Sequence, residues 1–235
     1  MNVIINPSIR HLNDIEKWIS QFKHHWDLII QALKNKRLIV IAQGEETTGF
    51  LTYRVNGNIV NIDFLEVKMS MHKRGVGKKL VESSLEHFKK LGIRIAEILC
   101  RPQSSEIFWK KVGFTILPAS TNFDPDELKL YRVLGKILPV SGNTIADREM
   151  LTLELWNEEP HLAKQYPSWR WQLICKTGSG SLVEPIVAPC HGDWKIRLIQ
   201  GGETIREHKV KYFSKRPIDF SGYLIIETLY NLDLE

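Results

Sequence analysis

The residues best suited to chemistry are His72-Lys73-Arg74-Gly75-Val76-Gly77-Lys78-Lys79-Leu80. They follow a strand-like run, Ile59–Val67, and open a helix-like run that ends at Leu91. A glycine-bearing turn at a helix N-terminus presents several unpaired backbone N–H groups to one anion. Two glycines let the backbone approach that anion closely. Lys73, Arg74, Lys78 and Lys79 add positive charge at the same place. The chemistry is that of a pyrophosphate site, which points to a nucleotide-like cofactor. A structural turn with a solvated basic face is the plainer reading. A P-loop would need G-x-x-x-x-G-K-[ST], and His72 and Lys79 break that pattern. A Rossmann fingerprint would need a third glycine where Leu80 stands, and a parallel unit where a hairpin precedes the turn.

The elements that must position this turn alternate. A strand over Val3–Ile9 is followed by helical spacing of Ile15, Trp18, Ile19, Phe22, Trp26, Ile29, Ile30 and Leu33, with Asn13 or Asp14 as the cap. Strands follow at Arg37–Ala42, Gly49–Val55 and Ile59–Val67, with a turn over Glu45–Thr48 and an Asn56-Gly57-Asn58 hairpin signal. A helix over Val76–Leu91 is stopped by Gly92. A strand over Ile93–Cys100, a short helix over Ser104–Val112 stopped by Gly113, and strands Phe114–Leu117 and Leu128–Leu134 complete this half. Residues 136–146, with Pro139, Ser141, Gly142 and Asn143, read as a linker between a domain over 1–135 and another over 147–235. Six further strand-like runs, the fifth over His208–Phe213, suggest a β-sandwich or small barrel. The fold class expected is α/β (α+β): a mixed, mostly antiparallel sheet flanked by helices, then a mainly β domain.

Charge is uneven. Residues 1–135 carry 20 Lys and Arg against 14 Asp and Glu, whereas residues 136–235 carry 12 against 13. The excess sits in the half with the glycine turn, which suits an anionic cofactor or acidic partner. It is too weak to require nucleic acid. Cys100, Cys175 and Cys190 lie far apart with no C-x-x-C pair, so neither a metal site nor a disulfide framework is expected. No run of about 18 apolar residues or basic leader is present, so a cytoplasmic protein with reduced thiols and no membrane span is the expectation. His24-His25 reads as a solvated helix face, Cys100 as a core thiol, and Trp169 and Trp171 as core.

A second motif specifies the anion further. Gln103-Ser104-Ser105-Glu106-Ile107-Phe108-Trp109-Lys110-Lys111-Val112-Gly113-Phe114 follows the basic turn. The strand ending at Val67, the His72-x-x-Gly75-x-Gly77 turn and this segment together resemble the GCN5-related N-acetyltransferase (GNAT) superfamily over residues 1 to about 135. That family has [Q/R]-x-x-G-x-[G/A] at the helix start and an aromatic pair before x-x-x-G-F in the short helix. His72 stands where the family has Gln or Arg, and Trp109 stands where many members have the tyrosine that protonates the leaving thiolate. An indole N–H cannot take that role.

The resemblance implies acetyl-CoA as donor and a primary amine as acceptor, by direct attack in a ternary complex. The amine could belong to a small molecule, a protein lysine or an N-terminus. By position, the backbones of Val67 and Met69 would hold the pantetheine amides, with an N–H near Val67 polarising the thioester. The amides of the turn, from His72 through Lys73, Arg74, Gly75, Val76 and Gly77 to Lys78, would hold the pyrophosphate. One of Lys73, Arg74, Lys78 or Lys79 would reach the 3′-phosphate, and Gln103 and Phe108 would also contact the donor. For the base, Asp63 comes first, sharing a face with Leu65 and Val67 by alternation. Glu66 is second and Glu97 third. A non-catalytic acyl-CoA-binding module and an acetyltransferase acting on aminoacyl-tRNA are the alternatives. In the enzyme reading the β domain would shape the acceptor site or mediate formation of a homodimer.

Overall fold

The computed structural model describes residues 1–118, 128–141, 150–213 and 222–232. The chain forms two compact units, the first built from Met1–Leu117 and the strand that ends before Gly135, the second from Lys136 onward. Residues 142–146 of the expected linker lie outside the described residues.

The first unit holds a seven-stranded sheet flanked by helices. In chain order its elements are β1 (Asn2–Ile4), α1 (Ile9–Glu16), α2 (Trp26–Lys34), β2 (Leu38–Gln43), β3 (Glu46–Asn56), β4 (Ile59–Val67), α3 (Val76–Lys90), β5 (Ile95–Leu99), α4 (Glu106–Lys111), β6 (Thr115–Ile116) and β7 (Lys129–Val133). The strand order is β1-β2-β3-β4-β5-β7-β6, antiparallel except for β4 beside β5. One face buries Ile39, Leu51, Val60 and Ile62 against α3 and α4, through Leu80, Val81, Phe88 and Trp109. The other buries Leu38, Val40 and Phe50 against Leu12, Ile15 and Ile29 of α1 and α2. Apolar stripes at helical spacing need such a face to cover, which is why these helices sit on the sheet.

Three local expectations change. The first strand stops at Ile4, because α1 starts at Ile9, where His11 Nδ1 accepts the Ser8 N–H at 3.0 Å. Asn13 and Asp14 therefore lie inside α1 rather than capping it; the Asp14 carboxylate accepts the Thr47 N–H instead. The strand over 49–55 begins three residues earlier, at Glu46, because the reversal closes at Gly44, φ +60°, and Glu45, pairing Gln43 with Glu46.

The second unit comprises β8 (Thr152–Leu155), β9 (Trp169–Gln172), β10 (Ser181–Pro189), β11 (Lys195–Gln200), β12 (Glu203–Lys209) and β13 (Tyr223–Thr228). They form a four-stranded sheet, β12-β11-β8-β9, and a two-stranded sheet, β10-β13. The strand expected over His208–Phe213 runs instead over Glu203–Lys209, and Val210–Tyr212 is a 3₁₀ turn. Gly201 and Gly202, φ +62° and +84°, form a two-residue reversal that pairs Gln200 with Glu203 and so fixes where β12 begins. Trp171 is buried in this core and Trp169 stacks on Trp194 at 5.8 Å. Among the described residues, no helix is long and apolar enough to cross a membrane and no group of three His, Cys, Asp or Glu could hold a metal ion.

Candidate functional site

The sheet comes apart at one place. Parallel pairing of β4 with β5 runs from Ile59–Ile95 to Ile62–Ile98 and stops there. On its other edge β4 stays paired with β3 as far as Val67–Gly49. Between Thr52–Phe64 and Tyr53–Ile62 the register slips by one residue, so Asp63 is the extra residue of a β-bulge. A bulge bends its strand and leaves one residue outside the ladder. Lys68 N–H donates to Thr48 O at 2.9 Å. In an antiparallel ladder alternate residues bond to a given neighbour, so Glu66 and Lys68 face β3 while the amides of Leu65 and Val67 face the gap beside β5.

The bulge also corrects the alternation expected for Asp63. Ile62, Leu65 and Val67 pack together on the α3 side, whereas Phe64 packs on the α1–α2 side. Asp63, half-buried between these sets, is held by Arg54: Nε donates to Oδ1 at 2.9 Å and Oδ2 at 3.1 Å, and Nη2 donates to Oδ1 at 2.7 Å. This bidentate pair raises the Arg54 pKa, and holds the carboxylate in a fixed orientation.

A cavity of about 940 Å³ fills the gap. Its walls include Asp63, Leu65 and Val67 of β4, His72 to Lys78 without Arg74, Ile98 and Leu99 of β5, and Ser105, Phe108 and Trp109 around α4. Gly75 precedes α3 with φ +77°, where a side chain would be strained. No side chain caps this end, and the first amide to find a helical partner is Lys79 N–H, on Gly75 O at 3.0 Å. The N–H groups of Val76, Gly77 and Lys78 therefore lack intrahelical partners at the cavity wall. A Cβ on Gly77 would stand 3.5 Å from both Phe108 and Val67, an ordinary van der Waals distance, so these two side chains flank the first turn of α3. Lys73, also at positive φ, and Arg74 are exposed and make no ion pair among the described residues. Lys78 reaches Glu82 at 3.7 Å, and Lys79 Nζ donates to Met1 O at 2.7 Å.

Several expected site residues lie elsewhere. Glu66 is buried and its Oε1 accepts Ser20 N–H at 3.0 Å, Ser20 Oγ–H at 2.8 Å and Gln21 N–H at 3.1 Å. It fastens the segment between α1 and α2 and is outside the cavity wall. Glu97 also lies outside it, on β5 between Asn61 and Tyr131. Met69 is expected to act through its backbone; its side chain is exposed, and Met71 lines the cavity. Gln103 and Arg74 are exposed and off the wall, whereas Ser105 is on it. The His72 ring Nε2 lies 2.7 Å from Val67 O, and because a carbonyl only accepts, Nε2 carries the proton. His72 N–H also donates to Met69 O at 3.1 Å. Both carbonyls expected to hold a ligand thus bond His72.

The sequence reading missed Leu65, whose backbone faces the gap, and His25. His25 stacks on Phe64 at 5.2 Å and lines the cavity, so it is not on a solvated face. The signal for His25 was its place three residues after Phe22, which packs on Phe64 from the same side at 4.7 Å. Trp109 is buried between Phe108 and Phe114, each 5.2 Å away edge-on.

Residues 38–101 match the family model described as GCN5-related N-acetyl-transferase. Similar solved structures include Ard1 from Thermoplasma volcanium, 14% identical, with 57% of this chain and 98% of that one aligned at a TM-score of 0.48. PaiA N-acetyltransferase from Thermoplasma acidophilum, in complex with coenzyme A, is 16% identical, with 57% and 99% aligned at 0.46. A GNAT-family acetyltransferase from Bacillus cereus is 19% identical, with 57% and 98% aligned at 0.47. No curated protein matches the sequence.

Proposed function

We propose that this chain, whose residues 38–101 match the GCN5-related N-acetyl-transferase model, moves an acetyl group from acetyl-CoA to a primary amine in a ternary complex. One observation carries the reading: the β4–β5 ladder stops at Ile62–Ile98 beside a glycine-started helix with three unbonded amides. A gap lined with strand amides accepts an extended amide-bearing chain, and a helix N-terminus accepts a pyrophosphate.

The residues fit such a donor. The cavity volume lies within the range of ligand sites. The amides of Val76, Gly77 and Lys78 hold the pyrophosphate, with Lys73 and Arg74 placed to add charge to a terminal phosphate. The backbones of Leu65 and Val67 hold the pantetheine arm, and His72 releases the Val67 carbonyl to do so. Acetyl-CoA supplies the thioester: the amine lone pair forms the C–N bond, the C–S bond breaks with its electrons on sulfur, and the proton shed by nitrogen balances the thiolate. Of the three carboxylates expected as base, Asp63 alone lines the cavity. Three of its roughly four lone-pair sites are used by Arg54, leaving one to take the amine proton directly or through a water.

Calorimetric titration with CoA, followed by CoA release from acetyl-CoA across primary amines, tests the reading. We expect binding, turnover, and a loss of about 10²-fold in kcat/KM for Asp63→Asn with CoA affinity retained. Binding without turnover of any amine would favour the second reading, a non-catalytic acyl-CoA module. Trp109 in place of a general acid, and an Asp63 already bound by Arg54, are the observations behind that alternative.

A further inference from the structure

A second cavity, of about 460 Å³, adjoins the first: Asp63, Phe64 and Leu99 line both. Leu28, Gln31, Ala32 and Asn35, one face of α2, form its far wall. A donor held along β4 and α3 fills the first cavity, so the second leaves an acceptor amine a way in at the junction. Asp63 stands there, but Arg54 already donates three hydrogen bonds to its carboxylate. A proton resting on Asp63 would compete with Arg54 for the same oxygens, so its removal calls for a further acceptor.

His25 is that acceptor by position and by its free nitrogens. It ends the short turn Lys23–His25 that leads into α2. Its ring stacks on Phe64, with 5.2 Å between centroids and 19° between planes. Phe64 follows Asp63 in the chain, about 3.8 Å away between Cα atoms. Tyr53 packs on Phe88 of α3, so Arg54, next along β3, faces the other side of the sheet. Arg54 therefore draws the Asp63 carboxylate toward the side on which Phe64 lies. Half-buried His25 lines the first cavity at this place. Among the described residues its ring makes only aromatic contacts, with Phe64 and with His24 at 4.1 Å. A neutral imidazole offers one nitrogen lone pair to a proton and one N–H to pass on. The other ionisable groups on this wall are unsuited: Lys73, Lys78, Arg101 and Lys111 are cations, and His72 is engaged with Val67 O. His24 is exposed and off the wall.

We infer that His25 is the second member of a proton relay: the amine gives its proton to Asp63, directly or through a water, and Asp63 passes it to the His25 ring. The inference rests on the acetyltransferase reading and extends its mechanism. As the C–N bond forms and the C–S bond breaks, sulfur leaves as a thiolate and one proton moves from nitrogen through Asp63 to the imidazole. The imidazolium charge balances the thiolate, and Asp63 returns to its carboxylate form. His25 then releases the proton to solvent, from which the thiolate takes one. That route meets the need for a proton that Trp109 cannot supply.

The test measures acetyl transfer in single turnovers of the full chain, with an amine that the parent protein accepts. His25→Phe keeps a ring on Phe64 and removes the proton acceptor. We expect its rate to fall about 10²-fold with CoA affinity, read by calorimetry, retained. His25→Ala should lose as much, and added imidazole should restore part of that rate. It should not restore His25→Phe, where the space is filled. A His25→Phe rate equal to the parent's, or a His25→Ala loss that imidazole does not relieve, overturns the inference and leaves the acetyltransferase reading standing. So does a CoA affinity that falls in step with the rate, which would make His25 a packing residue. A parent protein that binds no CoA or acetylates no amine overturns both.

Discussion

Each unit has a strand carboxylate engaged by arginine, and the surroundings differ. In the first, Asp63 sits at a bulge where β4 leaves β5, its one ion-pair partner among the described residues is the exposed Arg54, and two cavities meet beside it. In the second, Glu154 is fully buried in an unbroken stretch of β8. Arg170 Nε of β9 and Arg197 Nε of β11 each donate to it at 2.7 Å. Arg197 also lies over Trp156 at 4.9 Å, and Lys195 at 4.8 Å, so the charges there are consumed by one another. The difference teaches where to look for chemistry. A ladder that stops early leaves amides and a carboxylate for a ligand, whereas a continuous ladder uses its polar side chains to hold its own strands.

That contrast can be broken from either side. The largest effect is expected from Glu154→Gln, which takes the buried counter-charge from Arg170 and leaves Arg197 only Glu207, 3.8 Å away. Denaturant unfolding of the full chain should show a loss of about 3 kcal/mol. A loss below about 1 kcal/mol would mean that the network behaves as surface ion pairs. Next comes Glu66→Ala. It removes the acceptor for two backbone N–H groups and should cost about 2 kcal/mol. Because Gln21, Phe22 and His25 line the cavity, CoA affinity should fall with it. An unaltered affinity would show that the segment between α1 and α2 keeps its place without Glu66.

The smallest effect concerns Asp193, whose pKa is pushed down to about 2 by hydrogen bonds from Lys211 and Lys209. A depressed carboxyl pKa means the folded state favours the ionised form. Its contribution is therefore complete above about pH 4 and disappears as pH falls through about 2. Acid unfolding of Asp193→Asn should diverge from the parent protein above pH 4 and converge near pH 2. Parallel curves over that whole range would contradict the pairing.

The glycine turn and its helix were legible because Gly75, at φ +77°, carries a backbone requirement in its residue type. The order of strands and helices in the first unit followed from apolar periodicity. The bulge was not legible. A single extra residue changes no composition, yet it breaks the alternation that placed Asp63 with Leu65 and Val67. Glu66 resembled Asp63 as a strand carboxylate, and only the folded position of Ser20 and Gln21 separates an anchor from a candidate base. The second cavity was hidden for a similar reason. Leu28, Gln31, Ala32 and Asn35 read as an ordinary helix face, and only the packing of α2 across β3 and β4 makes that face a cavity wall.

The central claim is that the gap beside Asp63–Val67 and the amides of α3 hold one coenzyme A. A crystal structure of the full chain with CoA tests this most directly. The account predicts the pantetheine arm along β4, bonded to the backbone of Leu65 and Val67, the His72 ring moved off the Val67 carbonyl, and the pyrophosphate on Val76, Gly77 and Lys78. CoA bound elsewhere, or an intact His72–Val67 bond beneath a bound pantetheine, would contradict it.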